Sequence, residues 1–134
     1  MKSALFGILL TLYMAYDLNH TFEWNAGAGL TPRVFVGQYL DLAYGQGQGV
    51  KAAKEYFAAD AVDHAADAID RQDGAPIPHQ VRQIIADGPT VAVHHHIDAT
   101  RGQPAMDVVD IYQSARGRIT ERTRIVQPSA AQKE

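Results

Sequence analysis

The chain has 134 residues, 46% of them hydrophobic and 20% charged, with a formal net charge of −3. That length supports one domain with a single core, and the composition is that of a globular protein rather than a disordered one. The mixed charge supplies no basic field for nucleic acid, and the absence of cysteine excludes disulfides, thiolate metal sites and a cysteine nucleophile.

Residues 1–28 form a separate first segment. An apolar run from Ala4 to Tyr16 follows Lys2. It is short for a membrane-spanning helix, which needs about 20 residues, but suits the core of a signal peptide. Ala26-Gly27-Ala28 offers a small-residue cleavage pattern, whereas Asp17 and Glu23 are unusual ahead of one. Three readings stay open: a removed signal peptide, an uncleaved membrane anchor, or an extra helix on the domain. The first two imply export or membrane attachment; the third leaves the protein cytoplasmic. Asn19-His20-Thr21 fits a glycosylation acceptor within this segment.

The domain occupies 29–128, with a polar tail at 129–134. Thr31-Pro32 is a helix start, Thr as N-cap and Pro at the first helical position. Val34, Phe35, Leu40, Leu42 and Tyr44 supply apolar faces, and the glycines at 45, 47 and 49 stop the helix. The spacing predicts a second helix from Val50 to Ala58, burying Val50, Ala53 and Phe57. Asp60 to His64 read as a short turn or one-turn helix, 65–78 as a loop, and Val81, Ile84 and Ile85 as the inner face of a third helix ending at Asp87-Gly88-Pro89. Beyond that the period becomes two. Strands are predicted over 90–100, 103–113 and 119–126, joined at Arg101-Gly102 and at Ala115-Arg116-Gly117. Helices followed by an antiparallel meander make an α+β fold, with about three helices covering one face of the sheet.

These elements, with the VDHAAD stretch, the strand DGPTVAVHHH and the last hairpin DIYQSARGRITERTRIVQ, resemble the SnoaL-like, polyketide cyclase-like branch of the nuclear transport factor 2 superfamily. The hairpin matches the family pattern D-I-F-R-x-x-D-G-K-I-x-E-H-W-D-x-x-Q at Asp110, Ile111, Tyr112 (an aromatic), Gly117, Ile119, Glu121 and Gln127. His64 matches the histidine after the second helix. The resemblance implies a cone, a strongly curved antiparallel sheet wrapped by helices around one apolar pocket, and a homodimer formed through the sheet. It implies a small hydrophobic ligand, no metal and no nucleotide cofactor. It does not imply one reaction, because this fold hosts several chemistries and plain binding modules.

In the family's cyclases the acid/base carboxylate stands where this chain has Arg124, and the facing histidine position is Asp110. Arginine stays cationic and cannot serve as an ordinary base. With the turn centred near Arg116-Gly117, Asp110 and Arg124 should sit close to directly opposite each other on adjacent strands. Either they form a cross-strand ion pair, or Asp110 remains the base, with Arg124 orienting it and holding an oxyanion. An arginine contact would depress the pKa of Asp110 and weaken it as a base.

Asp107 alternates onto the other face, which separates it from Asp110 and Arg124 and breaks up the Asp-Arg-Asp network that limonene epoxide hydrolases use on the same fold. Glu121 shares a face with Ile119, Thr123 and Ile125 by simple alternation, so it is a candidate for ligand contact. Tyr112 is a candidate donor, His64 a candidate at the pocket entrance, and His95 the imidazole of the His94-His95-His96 run that faces inward. His94 and His96 have zinc-ligand spacing but no assigned third ligand, so no metal site is proposed from them. Two functions remain. One is a cofactor-free cyclase, isomerase or hydrolase-type enzyme acting on a small apolar carbonyl compound. The other is a non-catalytic binding or dimerisation module with Asp110 and Arg124 as a structural pair. Membrane partners enter only if the first segment is an anchor.

Overall fold

The computed structural model describes residues 26–128. The first apolar run with its three readings and the tail at 129–134 lie outside the described residues. Helix α1 (Pro32–Leu40) begins at Thr31, whose extended backbone and following proline set the helix start. It continues into one π-helical turn, Asp41–Gly45, closed by the Gln46 amide donating to the Asp41 carbonyl at 3.1 Å. That extra residue per turn carries Ala43 and Tyr44 into the core beside Phe35, Val36, Tyr39 and Leu40. Val34, expected inside, faces out.

Helix α2 (Gly49–Tyr56) buries Ala52 and Tyr56 and leaves Val50 57% exposed, so its inner face is rotated from the expected one. The chain then enters β1 (Phe57–Asp63) directly, where the end of the helix and then a short turn or one-turn helix were expected. A single 3-10 turn, Ile69–Arg71, interrupts the following loop. Strands β2 (His79–Asp87), β3 (Thr90–Ile97), β4 (Met106–Ala115) and β5 (Arg118–Pro128) complete the sheet, in the order β1-β5-β4-β3-β2.

Two expectations are corrected here. The third helix is strand β2. Its β-branched residues Val81, Ile84 and Ile85 suit an edge strand, and a bulge between Val81 and Gln83 supplies the spacing that mimicked a helical period. The sheet is mixed rather than antiparallel, because β1 runs parallel to β5. The α+β class stands, with two helices and two single helical turns among the described residues.

The final hairpin turns where expected, at Arg116-Gly117. Arg116 and Gly117 have φ of 54° and 74°, and Arg101 and Gly102 have 48° and 77°. Two consecutive positive φ values fit the twist of the flanking strands. Alternation puts Val91, Val93, His95 and Ile97 of β3 and Val108, Asp110 and Tyr112 of β4 on the helix-covered face. On β5 a register shift opposite Gln113 and Ser114 changes the parity, so that Ile119 and then Arg122 point inward.

Candidate functional site

Asp110 and Arg124 are direct cross-strand partners. Arg124 Nε donates to Asp110 Oδ1 at 2.7 Å and its Nη2 donates to Oδ2 at 2.9 Å, a two-point contact. Asp110 is fully buried, and its Oδ2 lies 3.0 Å from His95 Nε2. Burial by itself would raise the Asp110 pKa, but the bonds from His95 and Arg124 outweigh it and hold the carboxyl well below the ordinary carboxylate range. Asp110 is therefore a fully bonded carboxylate with little tendency to accept a proton.

The pair is part of a longer polar core that the sequence did not disclose. Arg124 Nη2 also donates to Asp70 Oδ1 at 3.1 Å and to the Tyr44 hydroxyl at 2.9 Å. Asp70 Oδ2 accepts from the Tyr39 hydroxyl at 2.5 Å and from Arg122 Nη1. Arg122, entirely buried, donates from Nε and Nη2 to the two oxygens of Asp63 at 2.9 and 2.8 Å, and from Nη2 to the Ala65 carbonyl at 2.9 Å. Asp63 in turn accepts from Arg71 at 2.5 Å. Three guanidiniums and three carboxylates thus alternate from Arg71 through Asp63, Arg122, Asp70 and Arg124 to Asp110. Burial disfavours charge on Asp70, yet Arg122 and Arg124 bring its pKa below normal. Burial likewise opposes charge on Arg124, but Asp110, Tyr44 and Asp70 hold its proton more tightly than in free arginine.

The chain of contacts extends one step beyond Asp110. His95 Nδ1 lies 3.2 Å from His79 Nδ1, and the His79 ring stacks on Tyr44 with centroids 4.4 Å apart. Because Asp110 is ionised, His95 Nε2 carries a proton and donates it. The two Nδ1 atoms then share one proton between them. Burial and then His95 lower the His79 pKa to about 4, so His79 is neutral at neutral pH.

An open cleft of about 430 Å³ reaches this network at one point. His64, Ala65, Asp67, Ala68, Gln103, Pro104, Met106 and Val126 line it together with Arg124, whose side chain is only 8% exposed. Arg124 Nη1 is bonded to none of the described residues, unlike Nε and Nη2.

The structure sorts the expected residues into three groups. Asp110 and Arg124 meet as proposed, and His64 shares the cleft with Arg124. His95 faces inward, but against Asp110 and His79 rather than the cleft. Tyr112 is also inside, with a buried hydroxyl that bonds to no described atom and a pKa raised well above normal by burial, then by Asp110. Glu121 is moved by the β5 register shift. It shares the outer side with the exposed Thr123 and Ile125 and stands 3.6 Å from His64 Nε2. Asp107 lies on the outer face with His96 at 3.1 Å, as alternation required. Among the described residues no three metal-ligating side chains gather. Arg124 does lie between two carboxylates, Asp110 and Asp70. Asp70, Arg122, Tyr44 and His79 were missed as site residues. Asp70 lies in a loop without periodicity, and Arg122 faces inward only because of the bulge.

No protein-family model matches the chain, and no curated protein matches it in sequence. Solved structures do. An NTF2-like protein of unknown function from Cytophaga hutchinsonii is 15% identical over 73% of this chain and 91% of its own, with a TM-score of 0.57. A protein from Kribbella flavida assigned as a ketosteroid isomerase is 18% identical over 73% and 78%, with a TM-score of 0.58. A protein from Jannaschia sp. CCS1 assigned as a SnoaL-like polyketide cyclase is 15% identical over 72% and 85%, with a TM-score of 0.55. The fold of this chain is accordingly NTF2-like, as the resemblance implied.

Proposed function

We propose that the cleft beside Arg124 binds a small, mostly apolar compound through its carbonyl oxygen. The observation that carries this reading is the state of Arg124. Arg124 lines the cleft, Asp110, Asp70 and Tyr44 occupy its Nε and Nη2, and Nη1 is the nitrogen with no partner among the described residues. A guanidinium fixed at two nitrogens presents the third without losing side-chain freedom on binding. Two carboxylates already balance its charge, and Asp67 stands in the cleft wall. The cleft therefore offers a hydrogen bond rather than surplus positive charge, which suits a neutral carbonyl better than a carboxylate. Ala65, Ala68, Pro104, Met106 and Val126 supply the apolar walls. The volume lies within the roughly 300–1,000 Å³ usual for small-molecule sites.

Calorimetry with 1-tetralone and its hydrocarbon counterpart tetralin tests this. A hydrogen bond to a charged donor contributes about 1.5–3 kcal/mol, so the ketone should bind about tenfold or more tightly than the hydrocarbon. Val126→Asp, at an exposed cleft wall, should abolish both. Equal affinity for ketone and hydrocarbon would overturn the assignment.

His64 favours a second reading, in which the bound carbonyl reacts. Its imidazole lines the same cleft, with Glu121 against Nε2. A proton leaving the carbon beside the carbonyl would pass to His64, while Arg124 held the enolate oxygen. This retains the cofactor-free acid/base chemistry that the resemblance implies and moves the base from Asp110 to His64. Hydrogen–deuterium exchange at the α-carbon of 1-tetralone in D2O should then be accelerated by the protein and not by His64→Ala. Exchange at the uncatalysed rate with ketone bound would leave only the binding function.

A further inference from the structure

We propose that Arg101 fixes the width of the Arg124 cleft and thereby the size of ligand it accepts, which rests on the reading of that cleft as the site for a small carbonyl compound. Its two sides come from separate parts of the chain. Ala65, Asp67 and Ala68 form one, at the start of the loop after β1. Gln103 and Pro104 form the other, just beyond the tight turn after β3.

Each side is braced within itself. On the first, the Ala68 amide donates to the Ala65 carbonyl and the Arg71 amide to the Ala68 carbonyl, both at 3.0 Å. On the second, Thr100 and Gln103 exchange backbone hydrogen bonds of 3.0 and 2.8 Å around Arg101-Gly102. Arg101 spans the gap between them. Its Nη1 donates to the Ile69 carbonyl at 3.2 Å and to the Gln72 carbonyl at 3.1 Å, and its Nη2 donates to the Ala75 carbonyl. Ile69 follows Ala68 directly, so this clasp grips the first side at the edge of the cleft.

Two features mark the clasp as more than an incidental contact. Arg101 has a φ of 48°, at a turn position where Asn, Asp and Gly are the usual residues because they tolerate left-handed backbone. Arginine has no such advantage there; what it brings is a side chain long enough to reach the loop. The second feature is Gly74, where a Cβ would lie 2.7 Å from Arg101 Cζ and 2.8 Å from Nη2. Gly74 is not among the glycines with positive φ, so its backbone does not call for glycine, and the guanidinium fills the space that a side chain would take. The loop is anchored to the helical side through the Gly74 amide on the Gly47 carbonyl at 3.0 Å and the Val50 amide on Asp73 Oδ1 at 3.1 Å. Loss of the clasp would therefore free the side that carries Gln103 and Pro104. A cleft held at one width in advance binds a ligand of matching size without having to order its walls, and it rejects a larger one.

Two variants test this. Arg101→Asn suits the left-handed turn position while removing the clasp, and Gly74→Ala keeps Arg101 but takes the space of its guanidinium. The chain has no native cysteine, so spin labels on Asp67→Cys and Pro104→Cys attach only at those two exposed positions. Dipolar electron spin resonance should give one narrow spacing between them in the parent and a longer, broader one in both variants. Calorimetry on the unlabelled chains should show 1-tetralone bound at least tenfold more tightly than its homologue with one further fused benzene ring. That preference should fall below twofold in both variants, whereas loss of a merely structural contact would weaken both ketones alike. An unchanged spacing in Arg101→Asn, or an unchanged size preference despite a wider spacing, would overturn the proposal. If neither ketone binds the parent, the carbonyl assignment fails and the spacing decides the clasp by itself.

Discussion

Asp110 and Arg124 sit where a family cyclase would have histidine and carboxylate, and the exchange turns a proton-transfer site into part of a buried ion network. Each carboxylate in it is shared by at least two donors. Removing one charge leaves its partner uncompensated, which typically costs about 3–5 kcal/mol in a protein interior. Asp110→Asn should therefore lower unfolding stability by that order, measured in urea. A loss below about 1 kcal/mol would show that the pair is not structural. Acid should act in two stages. His79 has a folded pKa lowered to about 4 by burial and by His95, with Asp41 and Asp70 acting the other way. Its unfolded form takes up a proton near pH 6.5 that the folded form refuses, so stability falls as pH drops from about 6.5 toward 4. Asp70 and Asp110 are lowered, so their contribution is present above about pH 3.9 and is lost as the pH falls further. Melting temperature against pH should show both limbs, and His79→Gln should flatten the upper one. The Asp110–Arg124 pairing was legible to within one residue: counting from the turn puts Asp110 opposite Thr123, and the register shift on β5 brings Arg124 into place. Asp70 was not, since nothing in a loop sequence says which residue a fold will bury.

Elements rather than single residues decide who reaches the network. The π turn after α1 brings in Tyr44, and the β5 bulge brings in Arg122. Strict alternation placed Glu121 inside and Arg122 outside, and one extra residue reverses that parity. Helical spacing likewise failed at β2, where a bulge imitates it. Gly49 at the start of α2 carries a testable consequence. A Cβ there would lie 2.3 Å from the Asp70 carbonyl oxygen and 2.6 Å from that of Gln72. Alanine normally stabilises a helix interior over glycine by about 1 kcal/mol. Here Gly49→Ala should instead lower the melting temperature by at least about 4 °C, since each kcal/mol shifts a domain of this size by about 4–8 °C. An unchanged or raised melting temperature would mean that the Asp70 loop gives way freely.

For the whole molecule, the face of the sheet turned away from the helices is apolar along one stripe. Ile85, Ala92 and Ile111 align across β2, β3 and β4, with Val109 beside Ile125 in the next row. Ile85 and Ile125 are each 57% exposed. We propose this stripe as the homodimer contact that the resemblance implies. Ile125→Glu should then convert a dimer into a monomer in light scattering, with the fold intact by circular dichroism; a monomeric parent chain would dismiss the contact. The helix-covered face shows how a pocket fold can carry a charged interior. Arg122, Tyr39, Tyr44 and Tyr112 fill the space between sheet and helices, and of the network's charged side chains Arg124 is the one that lines this cleft.

The place of Arg124 in the cleft wall makes one measurement decisive, a crystal structure of the protein with 1-tetralone. The ketone oxygen should lie about 3 Å from Arg124 Nη1, with the rings against Met106 and Val126 and the Asp110 and Asp70 contacts unchanged. A ketone seated elsewhere, or one that reaches Arg124 only by displacing Asp110 or Asp70, would contradict the reading of Arg124 as a fixed donor.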